Sequence, residues 1–290
     1  MPSDPPPQHP RRIIVNADDF GYFEAVSRGI LAAADAGRVT ATGVLVNGPA
    51  FARNAPALRD RPELDAGLHL NLTWGDPVSA DLRRALATGG GHLPGPARVA
   101  ATLLTGRLPL GALVAEVQAQ IDRALDAGLV LRFLNGHEHI HMLPRLYRRV
   151  QALAEEYGIP FVRHVGPEWR GTLSGGPGGL LRALVLWALG RLGQRPPRGP
   201  HLIGTAVSGR LSLAYLAGRL PRLAPGQAYE LMCHPGFDDP NEVRDPRLAA
   251  FHRWGQELAL LTGTDFAALC ERAGVLLTRF RDLPAGGLAP

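Results

Sequence analysis

Lysine is absent from this 290-residue chain: all 31 of its Lys/Arg positions are arginine. That absence excludes Schiff-base lysine chemistry, a Walker-type phosphate lysine and an ammonium group as catalytic proton donor. Cysteine is scarce. Cys233 and Cys270 are too few for a disulfide framework and fit a reducing compartment. The Pro-rich start MPSDPPPQHPRR carries no apolar h-region, so no signal peptide is expected. Long hydrophobic runs are missing too. The most apolar stretch, 180–192, holds Arg182 and Arg191 and reads as a buried or amphipathic helix rather than a membrane span. The arginines are spread along the chain, unlike the clustered footprint of a nucleic-acid binder. A soluble, cytoplasmic protein with no nucleic-acid partner is expected.

What is present suits one folded domain. Hydrophobic residues make up 46% and charged residues 20% of the chain, and net charge is only +5. A chain of this length buries about three quarters of its unfolded surface without staples. Short β-branched runs alternate with Ala/Leu-rich amphipathic stretches. Strands are expected over 13–16, 41–47, 65–73, 130–135, 160–164, 228–233 and 275–278. Helices are expected over 24–36, 49–60, 110–127, 146–157, 246–261 and 265–273. The alternation implies βαβ units and a parallel sheet, open or closed as a barrel, and hence the α/β class. Residues 1–12 read as a disordered leader, 13–282 as the domain and 283–290 as a tail. Segments 74–108 and 166–200 read as irregular Gly/Pro-punctuated insertions; loops that long usually serve a site.

Polar residues recur where the strands end. The first runs into Asn16-Ala17-Asp18-Asp19-Phe20-Gly21 and the third carries Gly67-Leu68-His69-Leu70-Asn71. A later one runs into Asn135-Gly136-His137-Glu138-His139-Ile140-His141, and another into Cys233-His234-Pro235-Gly236. Carboxyl ends of parallel strands converge on one face, which holds the active site in such folds. Successive strand residues point to opposite faces, so Asp18 and Asp19 share a cavity only where the strand breaks, and Gly21 supplies a break. A divalent cation between them keeps both ionised, one as ligand and the other as base; otherwise an Asp there caps a helix. His69 is either a ligand or a histidine satisfied at the sheet face. If their segment is extended, His137, His139 and His141 share a face. That trio divides into one ligand, one group bonding substrate and one structural residue. Two histidines plus one carboxylate leave coordination positions open, as catalysis requires. His234 is a general acid or a loop histidine bonded to backbone. Cys233 reads as packing rather than a nucleophile. His9, His92, His164, His201 and His252 have no comparable context, and no phosphate-binding glycine loop is found.

With these motifs assembled, the sequence resembles the YdjC-like carbohydrate deacetylases, which include chitooligosaccharide deacetylases and a hopanoid-biosynthesis-associated branch. The resemblance rests on IIVNADDFG (13–21), GRVTATGVLVNGPAF (37–51), GLHLNLT (67–73), NGHEHIHMLP (135–144) and ELMCHPG (230–236), in family order. It implies an irregular (β/α) TIM-like barrel, one domain with loop insertions, and one divalent metal ion, magnesium or zinc. Carried over by position, the metal ligands are Asp19, His69 and His137, with Asp18 as base and His234 as acid. Asn71, His139 and His141 are the candidate substrate contacts. Family members often carry Asp where Asn135 stands, which bears on the surroundings of His137. Segments 74–108 and 166–225 match the family poorly and are expected to shape specificity. The expected reaction is hydrolysis of an N-acetyl group on an amino sugar, glycan or glycolipid, with a homodimer allowed for. The alternatives are a phosphoesterase, a cyclic amidase or a catalytically silent sugar-binding relative.

Overall fold

Ile13, Ile14 and Val15 are all buried, so β1 (Arg11–Phe20) is covered on both faces, as the central strand of a parallel sheet must be. The computed structural model describes residues 10–166, 168, 187–188 and 199–284. Most of the expected helix at 180–192, residues 1–9 of the leader and residues 285–290 of the tail lie outside the described residues. β1 begins at Arg11 and continues to Phe20, so the expected leader boundary at 12 falls inside the strand and both aspartates belong to it.

The other strands are β2 (Ala41–Val44), β3 (Asp65–Leu70), β4 (Leu131–Gly136), β5 (Phe161–Val162), β6 (His201–Ile203), β7 (Ala228–Cys233) and β8 (Val275–Leu277). Every pairing is parallel, in the order β5-β4-β3-β2-β1-β7-β6. β8 pairs with the start of β1, at Arg11–Ile13. Among the described residues no pairing joins β5 to β6. The sheet therefore curls without closing, an irregular α/β barrel of the expected class. Gly67 is required where the pairing of β3 with β4 is irregular, between Ala66 and Leu68: a Cβ there would lie 2.5 Å from the Phe133 ring.

Ten described α-helices cover the sheet: α1 (Glu24–Asp35), α2 (Phe51–Arg59), α3 (Ala80–Ala85), α4 (Pro96–Leu104), α5 (Leu110–Asp126), α6 (Pro144–Glu156), α7 (Leu213–Arg219), α8 (Pro246–Phe251), α9 (Trp254–Thr262) and α10 (Thr264–Arg272). α5 shows why they form: Leu113, Val117, Ile121 and Ala124 recur every three or four residues and bury one stripe. Among the described residues, no helix is long and apolar enough to cross a membrane.

Two expectations need correction. Segment 74–108 is not irregular throughout, because it contains α3 and α4. Ser79 caps α3 by accepting from the Leu82 N–H, and Pro96 opens α4. The Gly/Pro punctuation that suggested a loop marks helix ends. The expected helix 246–261 is two helices, because His252 is extended and the Arg253 N–H donates to the Gly209 carbonyl instead of continuing the ladder.

Candidate active site

The site starts from a defect in β1. Asp19 takes a left-handed backbone (φ 75°), and the register with β2 shifts between Ala17 and Phe20. A non-glycine residue held there costs about 1–3 kcal/mol. In return the strand alternation is broken, and Asp18 and Asp19 both reach the His69 ring. The break lies at Asp19 itself as well as at Gly21. Both carboxylates are about 1% exposed.

Asp19 Oδ1 lies 3.2 Å from His69 Nε2 and 3.1 Å from His137 Nδ1. His69 comes from β3, where the alternation holds, and His137 is the first residue past β4. One ligand atom from each of the three residues lies within 4.8 Å of the other two. Two imidazole nitrogens and a carboxylate oxygen suit a divalent ion and leave positions open for water and substrate. Burial would push Asp19 up, but His137 and then His69 outweigh it and hold the carboxyl well below the usual range. Burial would push His137 down, but Asp19 outweighs it and the imidazole is shifted up.

Asn135 links the two aspartates' surroundings. Its Oδ1 accepts from His69 Nδ1 at 2.7 Å, and its Nδ2 donates to Asp18 Oδ1 at 2.8 Å. That tautomer, assigned from the hydrogen bonds, leaves His69 Nε2 bare toward Asp19. Asn135 thus orients His69, whereas the sequence had pointed to His137.

Asp18 is held by a residue that sequence reasoning missed. Arg163, one position past β5, donates from Nη1 to Asp18 Oδ2 (2.6 Å) and from Nη2 to Oδ1 (3.0 Å). It also binds Glu230 Oε1 at 2.5 Å, and Asn16 bridges Asp18 and Glu230. Burial would raise the Asp18 pKa, but Arg163 and then His69 hold it well below the usual carboxylate range. Glu230 is shifted up, because burial outweighs the same arginine there. Two signals could have revealed this network: Arg163 stands at a strand end, and Glu230 is the charged residue in the otherwise apolar AYELMC of β7.

His234 follows β7, and its N–H donates to Glu257 Oε2 at 2.6 Å. Glu257 Oε1 also accepts from Leu211, so one carboxylate pins two loops. His252, passed over in the sequence, lies against His234 with ring centroids 5.0 Å apart and stacks on Trp254 at 4.8 Å. Burial, then His234, pushes His252 down to about 3.

The three candidate substrate contacts fare differently. Asn71 is fully buried; its Oδ1 accepts from Thr73 and Trp74, and its Nδ2 donates to Asn47 and the Trp74 carbonyl. It builds the turn and has nothing left for substrate. His137, His139 and His141 do not share an extended face, because Glu138 and His139 are left-handed (φ 53° and 57°) and the segment coils as a 3₁₀ turn. His141 is consequently buried behind the site, where Nε2 donates to the Arg163 carbonyl at 3.0 Å. His139 keeps a buried Nδ1 with no hydrogen-bond partner among the described residues. Cys233 is buried, its thiol donates to the Asn16 carbonyl, and burial holds its pKa well above the ordinary value, which fits packing. Tyr22 packs edge-on 5.5 Å from His137 and carries Phe23 and the half-buried Trp74 with it.

A family model described as "YdjC-like protein" matches residues 12–272. The chain is 31% identical over 275 residues to a carbohydrate deacetylase of Geobacillus stearothermophilus, covering 94% of this chain and 98% of that one. It is 32% identical over 289 residues to a chitooligosaccharide deacetylase of Klebsiella pneumoniae, covering 94% and 99%. A mouse carbohydrate deacetylase is 30% identical over 295 residues, covering 94% of both. Among solved structures, a protein from Enterococcus faecalis described as a candidate cellobiose-phosphate cleavage protein superposes with a TM-score of 0.71. It is 22% identical, with 94% of this chain and 98% of that chain covered, so it shows a shared fold.

Proposed function

Because this chain belongs to the YdjC-like family, we propose that it is a metal-dependent carbohydrate deacetylase that releases acetate from the N-acetyl group of an amino sugar, free or within a glycan or glycolipid. The observation that carries this reading is the set of buried Asp19 and His69 with the partly exposed His137, and ionised Asp18 beside it. A divalent ion held there, magnesium or zinc, supplies carbonyl polarisation and a more acidic water.

The chain's own residues account for the proton movements. Asp18 accepts the proton of the attacking water. Its Oδ1 already receives hydrogen bonds from Asn16, Asn135 and Arg163, whereas Oδ2 receives only that of Arg163. Oδ2 therefore keeps the free lone pair and is the accepting atom. Arg163 keeps Asp18 ionised and fixes its orientation. His234 gives a proton to the amide nitrogen as the C–N bond breaks, so the products are acetate and the free amine. Phe23 and Trp74, both partly exposed and packed on the buried Tyr22, offer the aromatic surface that a sugar ring packs on.

The test is acetate release from N-acetylglucosamine oligomers by the metal-loaded protein. Asp18→Asn should lower turnover by about 10²–10⁴-fold while metal content stays unchanged. Wild-type rates in that variant, or sugar binding with no acetate release from any acetylated sugar, would overturn the reading.

A further inference from the structure

Two buried imidazoles beside Asp19 remain once its set with His69 and His137 is drawn. Asp19, His234 and His252 each offer a ligand atom within 4.8 Å of the other two, and all three residues are buried. This set and the first share Asp19 and no other residue. Nδ1 of His234 and Nδ1 of His252 are both buried with no hydrogen-bond partner among the described residues. A buried polar atom without a partner is costly and calls for an explanation. Both residues are held in place: Glu257 fixes the His234 backbone, and His252 lies on Trp254 with the rings only 10° from parallel. Two fixed imidazoles and a carboxylate are the same donor types as in the first set, and imidazole nitrogen favours transition ions over magnesium. A carboxylate has two oxygens, and two-metal centres hold their ions about 3.5–4 Å apart.

We propose that Asp19, His234 and His252 form a second divalent-cation site, with the Asp19 carboxylate bridging it to the first. The site takes zinc-like transition ions. In one consequence it rests on the deacetylase reading: it consumes His234, the proton donor, so filling it stops turnover and excess metal inhibits the enzyme.

The experiment is a titration of the metal-free full chain with Co²⁺, a spectroscopic stand-in for Zn²⁺, followed by calorimetry and electron paramagnetic resonance. Two ions should bind per chain, and the second should attenuate the signal of the first through the shared carboxylate. His252→Gln should keep the first ion and weaken the second by roughly 10–100-fold or more. His234→Gln should do the same, and it decides the matter if the first variant fails to fold. One ion per chain at saturation overturns the proposal. So does a second ion that leaves the first signal unchanged and survives both substitutions. Acetate release followed over the same titration should fall as the second ion binds. Coupled ions with no acetate release at any metal level would overturn the deacetylase reading and leave the second site standing.

Discussion

Asn135 performs two tasks that no carboxylate could perform together: it donates to Asp18 and accepts from His69. Groups that orient a metal-binding histidine usually carry a 10–100-fold share of metal affinity. Asn135→Ala should therefore weaken metal binding by about that factor in a calorimetric titration, although Asn135 ligates nothing. Unchanged affinity would mean that Asp19 alone holds His69. His141 and His252 act through their buried, neutral state. Burial holds both down to about 3. Between about pH 6.5 and pH 3 the unfolded chain takes up a proton at each that the folded chain refuses. Stability thus falls as pH falls, by up to about 1.4 kcal/mol per pH unit for each group. His137 works in the opposite sense in the metal-free protein: its shift is upward, so its contribution is present below about pH 6.5 and is lost as pH rises through the folded value. Burial holds His139 and His164 down as well, and the His137 contribution is constant below about pH 6.5, so acid destabilises the fold, measurable as a falling urea midpoint from pH 6.5 downward. A midpoint that stayed flat to pH 4 would contradict the buried placement of His141.

At the scale of elements, Glu116 anchors segment 74–108, together with Asn71 at Trp74 and Asn47 at Asp76. Glu116 on α5 accepts the N–H groups of Val78 (2.8 Å) and Ser79 (2.7 Å), just where α3 begins. Glutamine offers one acceptor oxygen in place of two, so Glu116→Gln strands a buried N–H at a cost of about 1–3 kcal/mol. The segment should then be cut faster in limited proteolysis, with the remainder of the chain unaffected. None of this could be read from 74–108 itself, because Glu116 lies outside it and looks like an ordinary helix glutamate. The same holds at 252–253: Trp254 onward is apolar enough to prolong a helix, and the interruption comes from Gly209, more than 40 residues earlier. In contrast, β1, β3, β4 and β7 were legible because they are buried and end in polar residues. Parallel strands deliver their carboxyl ends to one face, and that rule singled out Asp18, Asp19, His69, His137 and His234 as candidates without any tertiary information.

At the scale of the molecule, the candidate ligands Asp19, His69 and His137 lie on β1, on β3 and just past β4, which meet only when the sheet is assembled. A metal that binds the folded state alone stabilises it by RT ln(1 + [L]/Kd), about 2.7 kcal/mol at a hundredfold excess over Kd. For a chain of this size that is a shift of about 5–10 °C in Tm. Chelation should lower Tm by that amount, and His69→Gln should remove the difference between loaded and chelated protein. The missing lysine also takes its meaning at this scale. With no ammonium available, the buried cation beside Asp18 is the guanidinium of Arg163, whose planar fork holds both carboxylate oxygens.

The sequence by itself determined the α/β class, the polar strand ends and the residue types available there, because burial pattern and chain direction are local properties. Only the tertiary structure decided which atoms meet. It paired Asp18 with Arg163, which stands 145 positions away, turned Asn135 toward His69, sent His141 behind the site and brought His252 to His234. Those outcomes depend on strand register, on the left-handed turns at Asp19 and at Glu138–His139, and on side-chain rotamers. A period-two pattern of apolar and polar residues encodes none of them.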